Sequence, residues 1–294
     1  MPGKATDPFP VMENMTVKEI RAYLERRQSI IVPIGITEQH GYHLPLKTDA
    51  LVATELGRRI GARTGILVAP TVLQSFSGGG LPGTINISPA VMSLVLSDMM
   101  ISLVAQGFCN LYLFPCHGGS ENARALDDAL KILLRSNPAF HDVMIALVPV
   151  WQVDPGNAIW AKAFGEGDWH AGWLETSLVL ALAPDLVRMD ELELDTEPWR
   201  TRQIEHPDNY QHAEKIVDDP AVVPRLTQRP EIKVGVMGYP ERASAKLGRQ
   251  IVRTLVDAGA KRLAALDAKA DGVYKEVEFA PAPLIFAIPK RGKR

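Results

Sequence analysis

Four short apolar runs, SIIVPI at 29–34, ILVAP at 66–70, NLYLFP at 110–115 and VMIALVPV at 143–150, are separated by longer helical stretches, and none alternates apolar with polar residues. A strand with one face in water alternates, whereas a strand covered on both faces does not. The runs therefore predict a mostly parallel sheet with helices on both sides, a doubly wound α/β architecture. Between them, residues 15–27 read as a helix with Thr16 as N-cap and Glu19 completing a capping box. Residues 50–63 carry Leu51, Leu56 and Ile60 on or near one helical face, and 88–107 open with Ser88 and Pro89 and close on Gly107. Further helices are expected over 121–135, 170–185 and 240–259.

With 294 residues, 46% of them hydrophobic, the chain can bury one large core, and a single domain over 1–294 is expected. The stretch from about 185 to 238 is Pro-rich, charged and weakly periodic, so it reads as an irregular excursion packed on that domain. The opening 14 or so residues and the stretch at about 278–294 read as tails, the second with an apolar middle able to dock on the body or on a neighbouring subunit. A net charge of −2, without a block of like charge, gives no reason to expect nucleic acid or an anionic membrane as partner. A small neutral or polar substrate fits better. No apolar run approaches the roughly 18 residues that span a bilayer, and the first residues lack the apolar segment of a secretory signal, so a cytoplasmic protein is expected. Cys109 and Cys116 match no zinc or redox spacing and read as buried, reduced thiols.

In an open parallel sheet the loops after the strands gather at the carboxyl edge, where ligands bind. The unusual polar residues of this chain fall there: Glu38, His40 and Asp49 after the first run, Ser77 and the glycines of SFSGGGLPGT after the second, His117 after the third, and Trp151 after the fourth. Glu38 and His40, two apart in an extended segment, point the same way, and the glycine and prolines of TEQHGYHLPLKTD can bring Asp49 back towards them. Imidazole and carboxylate donors suit Zn²⁺ or Mn²⁺, and a carboxylate can bridge two ions about 3.5–4 Å apart. Asp49 is the natural bridge, with His117 a further ligand. His43, His141, His206 and His212 are expected to be solvated or to support ligands from behind.

The stretch GITEQHGYHLPLKTDA resembles the E-x-H and H-L-P-L-x-T-D signature of the creatininase (creatinine amidohydrolase) family. The resemblance continues through SGGGLPGT, PCHGGSEN, HAGWLETS and GVMGYPERASAKLG, in order from about residue 30 to 258. It implies a three-layer α/β/α sandwich that forms a homo-oligomer, often a hexamer, and uses two divalent metal ions, zinc or manganese, to hydrolyse a non-peptide C–N bond. Carried over by position, Glu38 and His117 bind one ion, His40 the other, and Asp49 both. The fifth ligand is expected to be Glu121, with Glu175 the alternative, because creatininase carries a glutamate where this chain has Gly119. His170 matches the histidine assigned to proton transfer. Ser77, Trp151 and Gly118 match pocket-lining positions, with Trp169 nearby. The Gly118–Gly119 run and Glu166 stand where creatininase has a substrate-contacting tyrosine and a tryptophan, so the resemblance implies a small amide, lactam or ureide other than creatinine. Deformylation and peptide trimming, which other branches perform, are the alternative enzyme readings, and a non-catalytic binding protein that keeps the fold is a third.

Overall fold

The computed structural model describes residues 11–153, 156, 158–207 and 212–270. The stretch read as a tail at about 278–294 lies outside them. Four strands, β1 (Ser29–Ile34), β2 (Leu67–Val68), β3 (Asn110–Pro115) and β4 (Met144–Leu147), form one sheet in the order β2-β1-β3-β4. All three pairings are parallel. The expected boundaries of β1 and β3 are met residue for residue. β2 is shorter than its apolar run and β4 shorter than its own.

Helices cover both faces, as the non-alternating strands require. Successive side chains on a strand point to opposite faces. Ile31, Tyr112 and Phe114 accordingly pack with Val52, Leu56 and Ile60 of α2 (Thr48–Thr64), Leu174 and Leu178 of α6 (Trp173–Leu182), and Ile251 and Leu255 of α8 (Ala245–Ala270). Ile30, Val32, Leu111 and Leu113 pack on the other face with Met92 and Leu96 of α3 (Pro89–Ala105) and Leu126 and Leu133 of α4 (Ser120–Ser136). The result is an α/β/α sandwich. The expected capping box opens α1 (Val17–Leu24): the Thr16 N–H donates to Glu19 Oε2 at 2.7 Å and the Glu19 N–H to Thr16 Oγ1 at 3.4 Å.

Three segments differ from the sequence reading. The helix expected to end at Gly259 continues to Ala270, because a glycine there lets the helix lie against Ile60: a Cβ would sit 2.6 Å from Ile60 Cδ1. The chain is also packed before residue 14: Val11 is buried and bridges Val68. The excursion is more structured than its composition suggested. It contains α7 (Trp199–Glu205) and an antiparallel hairpin of β5 (His212–Glu214) and β6 (Arg225–Thr227), and a further short helix, α5 (Ala158–Gly165), precedes it.

The excursion also returns to the carboxyl edge of the sheet. The Asp195 carboxylate accepts the N–H groups of Lys233, Val234 and Gly235 at 2.7, 3.0 and 2.7 Å, which ties its far end to its start. Met237 then pairs with His170: each N–H donates to the other's carbonyl oxygen, at 2.9 and 3.0 Å. Asp168 plays a similar part for α6, accepting from the N–H of Trp173, Leu174 and Tyr239 at 2.9, 3.0 and 2.9 Å. Burial raises the Asp168 pKa even against these bonds and the Arg242 charge. Among the described residues no helix is long and apolar enough to cross a membrane.

Candidate metal centre

The loop after β1 carries Glu38 and His40, the first turn of α2 carries Asp49, the loop after β3 carries His117, and the first turn of α6 carries Glu175. Their donor atoms fall into two groups, Glu38–Asp49–His117 and His40–Asp49–Glu175, each within 4.8 Å. The groups share Asp49 by different oxygens: Oδ2 is 3.2 Å from His117 Nδ1, and Oδ1 is 3.6 Å from His40 Nε2. Glu38 Oε2 lies 3.1 Å from His117 Nδ1, and Glu175 Oε2 lies 3.7 Å from His40 Nε2. Two ligand atoms bound tetrahedrally to one ion at about 2.1 Å sit about 3.4 Å apart, so both groups have the spacing of a metal's donors.

The hydrogen bonds support the same reading. His40 Nδ1 lies 3.1 Å from the Glu38 carbonyl oxygen, which can only accept, so Nδ1 carries the hydrogen. Nε2 is buried, has no hydrogen-bond partner, and faces two carboxylates. A lone pair aimed at two anions is stable only if a proton or a cation lies between them. Glu38 Oε2 is likewise buried without a hydrogen bond. The donor set therefore fits two divalent cations of the zinc or manganese type.

Electrostatics in the metal-free protein shows what such cations replace. Burial works against ionising Glu38, but the His117 and His170 imidazoles outweigh it and hold the carboxyl down at about 2. Asp49 is lowered further against its burial, by His40 and His117. Glu175 goes the other way: burial and the Asp49 charge outweigh His40 and raise it to about 7. Burial would lower His40, but Asp49, Glu175 and Glu38 push it up to about 10, and His117 is raised well above its usual value by Glu38 and Asp49. Among the described residues, the charged groups that shift these three carboxyls are imidazoles and one another, and the Ala171 N–H also lowers Glu175.

His170 stands beside this cluster with its ring centroid 4.2 Å from that of His40. Its Nε2 lies 2.8 Å from the Gln39 carbonyl oxygen, an acceptor, and 3.1 Å from Gln39 Nε2, a donor; the shorter contact favours the hydrogen on Nε2 and the lone pair on Nδ1. The Gln39 side chain is held by its own bonds, accepting from the Gly41 N–H at 3.0 Å and donating to the Gly235 carbonyl at 3.2 Å. Burial and the His40 charge push His170 down to about 4.

The structure does not bring Glu121 into either donor group. It lies in the first turn of α4, pairs with Arg124 at 3.2 Å and accepts from Ser120 Oγ at 3.1 Å, with its side chain 39% exposed. The alternative, Glu175, is in contact because Ala171 adopts a left-handed φ of 53° and donates its N–H to Glu175 Oε2 at 2.6 Å. Ser77 lines the cavity but gives its hydroxyl to Glu38 Oε1, orienting a donor carboxylate. Gly118, Trp151 and Trp169 line a cavity of about 670 Å³ that opens onto the donors and also touches Phe76, Phe164 and Met237.

Sequence reasoning missed several supporting residues. Gln39, Asp168 and Asp195 carry no motif of their own, and the fold alone shows what they hold. Of the histidines set aside, His141 is exposed, whereas His43 is buried with Nε2 2.9 Å from Thr176 Oγ1, next to Glu175. Burial and the His40 charge lower His43 to about 4. His206 is exposed, and the side chain of His212 in β5 lies outside the described residues. Cys109 is a buried free thiol as expected, and Cys116 is a partly buried one on the cavity wall.

A sequence model of the Creatininase family, described as creatinine amidohydrolase, matches residues 13–263. Creatinine amidohydrolase of Pseudomonas putida is 30% identical over 193 residues, 60% of this chain and 74% of that protein. The mycofactocin precursor peptide peptidase of Mycobacterium tuberculosis is 30% identical over 261 residues, 83% of this chain and 88% of that one. In fold, a crystal structure of creatinine amidohydrolase superposes with a TM-score of 0.71 at 23% identity, covering 88% of this chain and 98% of that one. A structure described as "Creatininase Mn" superposes with a TM-score of 0.67 at 24% identity over the same shares.

Proposed function

Because the chain belongs to the creatininase family, we propose that it is a metal-dependent hydrolase cleaving a C–N bond of a small cyclic or linear amide. Glu38, Asp49 and His117 would hold one divalent ion and His40, Asp49 and Glu175 a second, with Asp49 offering a carboxylate oxygen to each group. Zinc and manganese are the metals this donor set suits. When bound, such a pair supplies Lewis-acid polarisation of the scissile carbonyl and acidifies a water.

The chain's own residues do the rest. Ser77 and the Ala171 N–H fix the carboxylates of Glu38 and Glu175, and the Glu38 carbonyl fixes the His40 tautomer. His170, neutral and with Nδ1 able to accept, takes the proton released as water attacks and returns it to the departing nitrogen. Gln39 and Met237 hold its ring and backbone in place for that transfer.

The observation that carries this reading is the sharing of Asp49, one oxygen to each donor group. The test is metal content and turnover on a panel of lactams, formamides and short peptides with Mn²⁺ or Zn²⁺. Glu175→Gln is expected to lower bound metal and turnover together, and Glu121→Gln to spare both. The reverse result would move the fifth ligand to Glu121, and a protein that binds no metal and turns over none of the panel would refute the reading. The mycofactocin relative, matched over 83% of this chain, favours peptide hydrolysis as a second reading, which the same panel separates. Val91 and Leu94, exposed apolar side chains on α3, support a homo-oligomer, to be measured by light scattering.

A further inference from the structure

We infer that the substrate is an uncharged amide bearing a flat aromatic group, which stacks on Trp169 while its carbonyl reaches the metal centre. This rests on the hydrolase reading and adds the substrate's second half to it.

The cavity is the first observation. At about 670 Å³ it has the size of a pocket for a drug-sized ligand, and a five-membered lactam would leave most of it unfilled. Its lining is rich in aromatic side chains: Phe76, Trp151, Trp160, Phe164 and Trp169. Trp169 is the residue of this wall with no structural reason to remain uncovered: its side chain is large and apolar, yet it is 38% exposed.

The indole is also held still. Its Nε1–H donates to the Ile204 carbonyl oxygen at 3.1 Å, so its polar atom is satisfied without a ligand. Phe164 stacks on it with centroids 5.0 Å apart and planes 13° from parallel, and Trp160 backs Phe164 at 5.7 Å. The Trp169 backbone N–H donates to the Met237 carbonyl at 2.8 Å. A platform ordered before binding spends no conformational entropy on the ligand. Stacking needs one face, and Phe164 occupies only one. His170 lines the same cavity, so a ring on the platform shares it with the proton-transfer group.

Charge selects among aromatic amides. Beyond the donor carboxylates, Glu121, itself paired with Arg124, is the charged side chain on the cavity wall among the described residues, and no Lys or Arg among them lines the wall to balance a carboxylate on the ligand. The faces of aromatic rings are themselves electronegative. A ligand whose ring carried a carboxylate would meet both, and an uncharged ring meets neither penalty.

The experiment uses the full-length, Mn²⁺-loaded protein and three probes with one amide: phenylacetamide, cyclohexylacetamide and 4-carboxyphenylacetamide. Affinities are read by tryptophan fluorescence in a His170→Ala background, where turnover does not interfere, and kcat/KM in the wild type. Phenylacetamide is expected to bind about tenfold more tightly than either comparison probe. Trp169→Leu should cost phenylacetamide several-fold more affinity than cyclohexylacetamide and so remove that preference, and Trp169→Phe should keep most of it. Equal affinity for the ring and its saturated counterpart in the wild type, or equal loss of both in Trp169→Leu, would overturn the inference. That comparison in the wild type decides the matter even if a variant folds poorly. Hydrolysis without aromatic preference defeats this inference alone. Aromatic preference without metal-dependent hydrolysis of any amide defeats the hydrolase reading and leaves the platform standing.

Discussion

Replacing Gly119 by alanine tests the placement of His117 directly. An alanine Cβ would lie 2.7 Å from His117 Nε2 and 3.4 Å from its Cδ2. Unstrained contact needs about 3.5 Å, so the ring must retreat by about 0.8 Å. The other edge of that ring presents Nδ1 to Glu38 and Asp49 at 3.1 and 3.2 Å. Metal–ligand distances tolerate only about 0.2 Å. Disturbing a ligand's orientation costs about 10–100-fold in metal affinity, or roughly 1.4–2.7 kcal/mol. The backbone itself is indifferent: φ −55° and ψ 137° suit alanine, which gains about 0.4–1 kcal/mol by restricting the unfolded chain. Gly119→Ala should therefore melt within a few degrees of wild type after EDTA treatment, yet lag it with metal present. Titration calorimetry should find one weakened site of two. Wild-type affinity at both sites would refute the placement of His117 as a ligand. The same contact explains why the glutamate that creatininase carries here cannot be built onto this backbone without moving the histidine.

Removing metal should itself lower stability: ions held at about 1,000 times their dissociation constant stabilise by about 4 kcal/mol, a shift of roughly 10 °C, and a melt unchanged by EDTA would contradict the site. Asp267 accepts from Arg27 at 3.0 and 2.6 Å, Asn110 at 3.2 Å, Tyr112 at 2.8 Å and the Ser29 hydroxyl, so Asp267→Asn should cost about 2–4 kcal/mol in urea at pH 7. Burial opposes ionisation of this carboxyl, but Ser29, Arg27 and Tyr112 outweigh it and lower its pKa below 3.8. Its stabilisation is thus complete above the unfolded value and lost as pH falls through the folded one. Wild type should lose more stability in that acid window than Asp267→Asn, in which Glu38 and Asp49 still titrate, as urea midpoints at stepped pH will report. Asp195→Ala leaves three N–H groups without their carboxylate, two of them in buried residues, and should cost about 3 kcal/mol. It should also lower kcat more than it raises KM, because it loosens the segment that pairs with His170, and equal changes in both would count against that role.

The sheet was legible because strands covered on both faces leave unbroken apolar runs, so β1 and β3 appear with their true ends. Four candidate donors were legible as a cluster because they follow strands that deliver their loops to one edge. The fifth was not. Glu121 and Glu175 are both acids in the first turn of a helix, and composition treats them alike. What separates them is a left-handed Ala171 and an Asp168 carboxylate that grips the start of α6, neither of which has a periodic signature. The excursion misled for a related reason. Its polar side chains bond backbone amides at the site's edge, which in sequence looks the same as solvation.

The two donor groups are therefore unequal in how the chain builds them. Glu38, Asp49 and His117 follow β1 and β3, adjacent central strands, and open α2, which packs on them, so the first group is complete once that core has closed. Glu175 arrives from α6, more than fifty residues after His117, and its position depends on Asp168, on Ala171 and on Thr176 against His43. Its carboxyl is also the one that burial raises, to about 7, while Glu38 and Asp49 are already ionised. A metal entering either group must displace a histidine proton, but one entering the second must also displace the Glu175 proton, and must hold a helix whose anchors are side chains instead of sheet. The His40–Glu175 half should consequently be the half that empties first as pH falls or the excursion loosens, and His170, whose ring centroid lies 4.2 Å from that of His40, is coupled to that half.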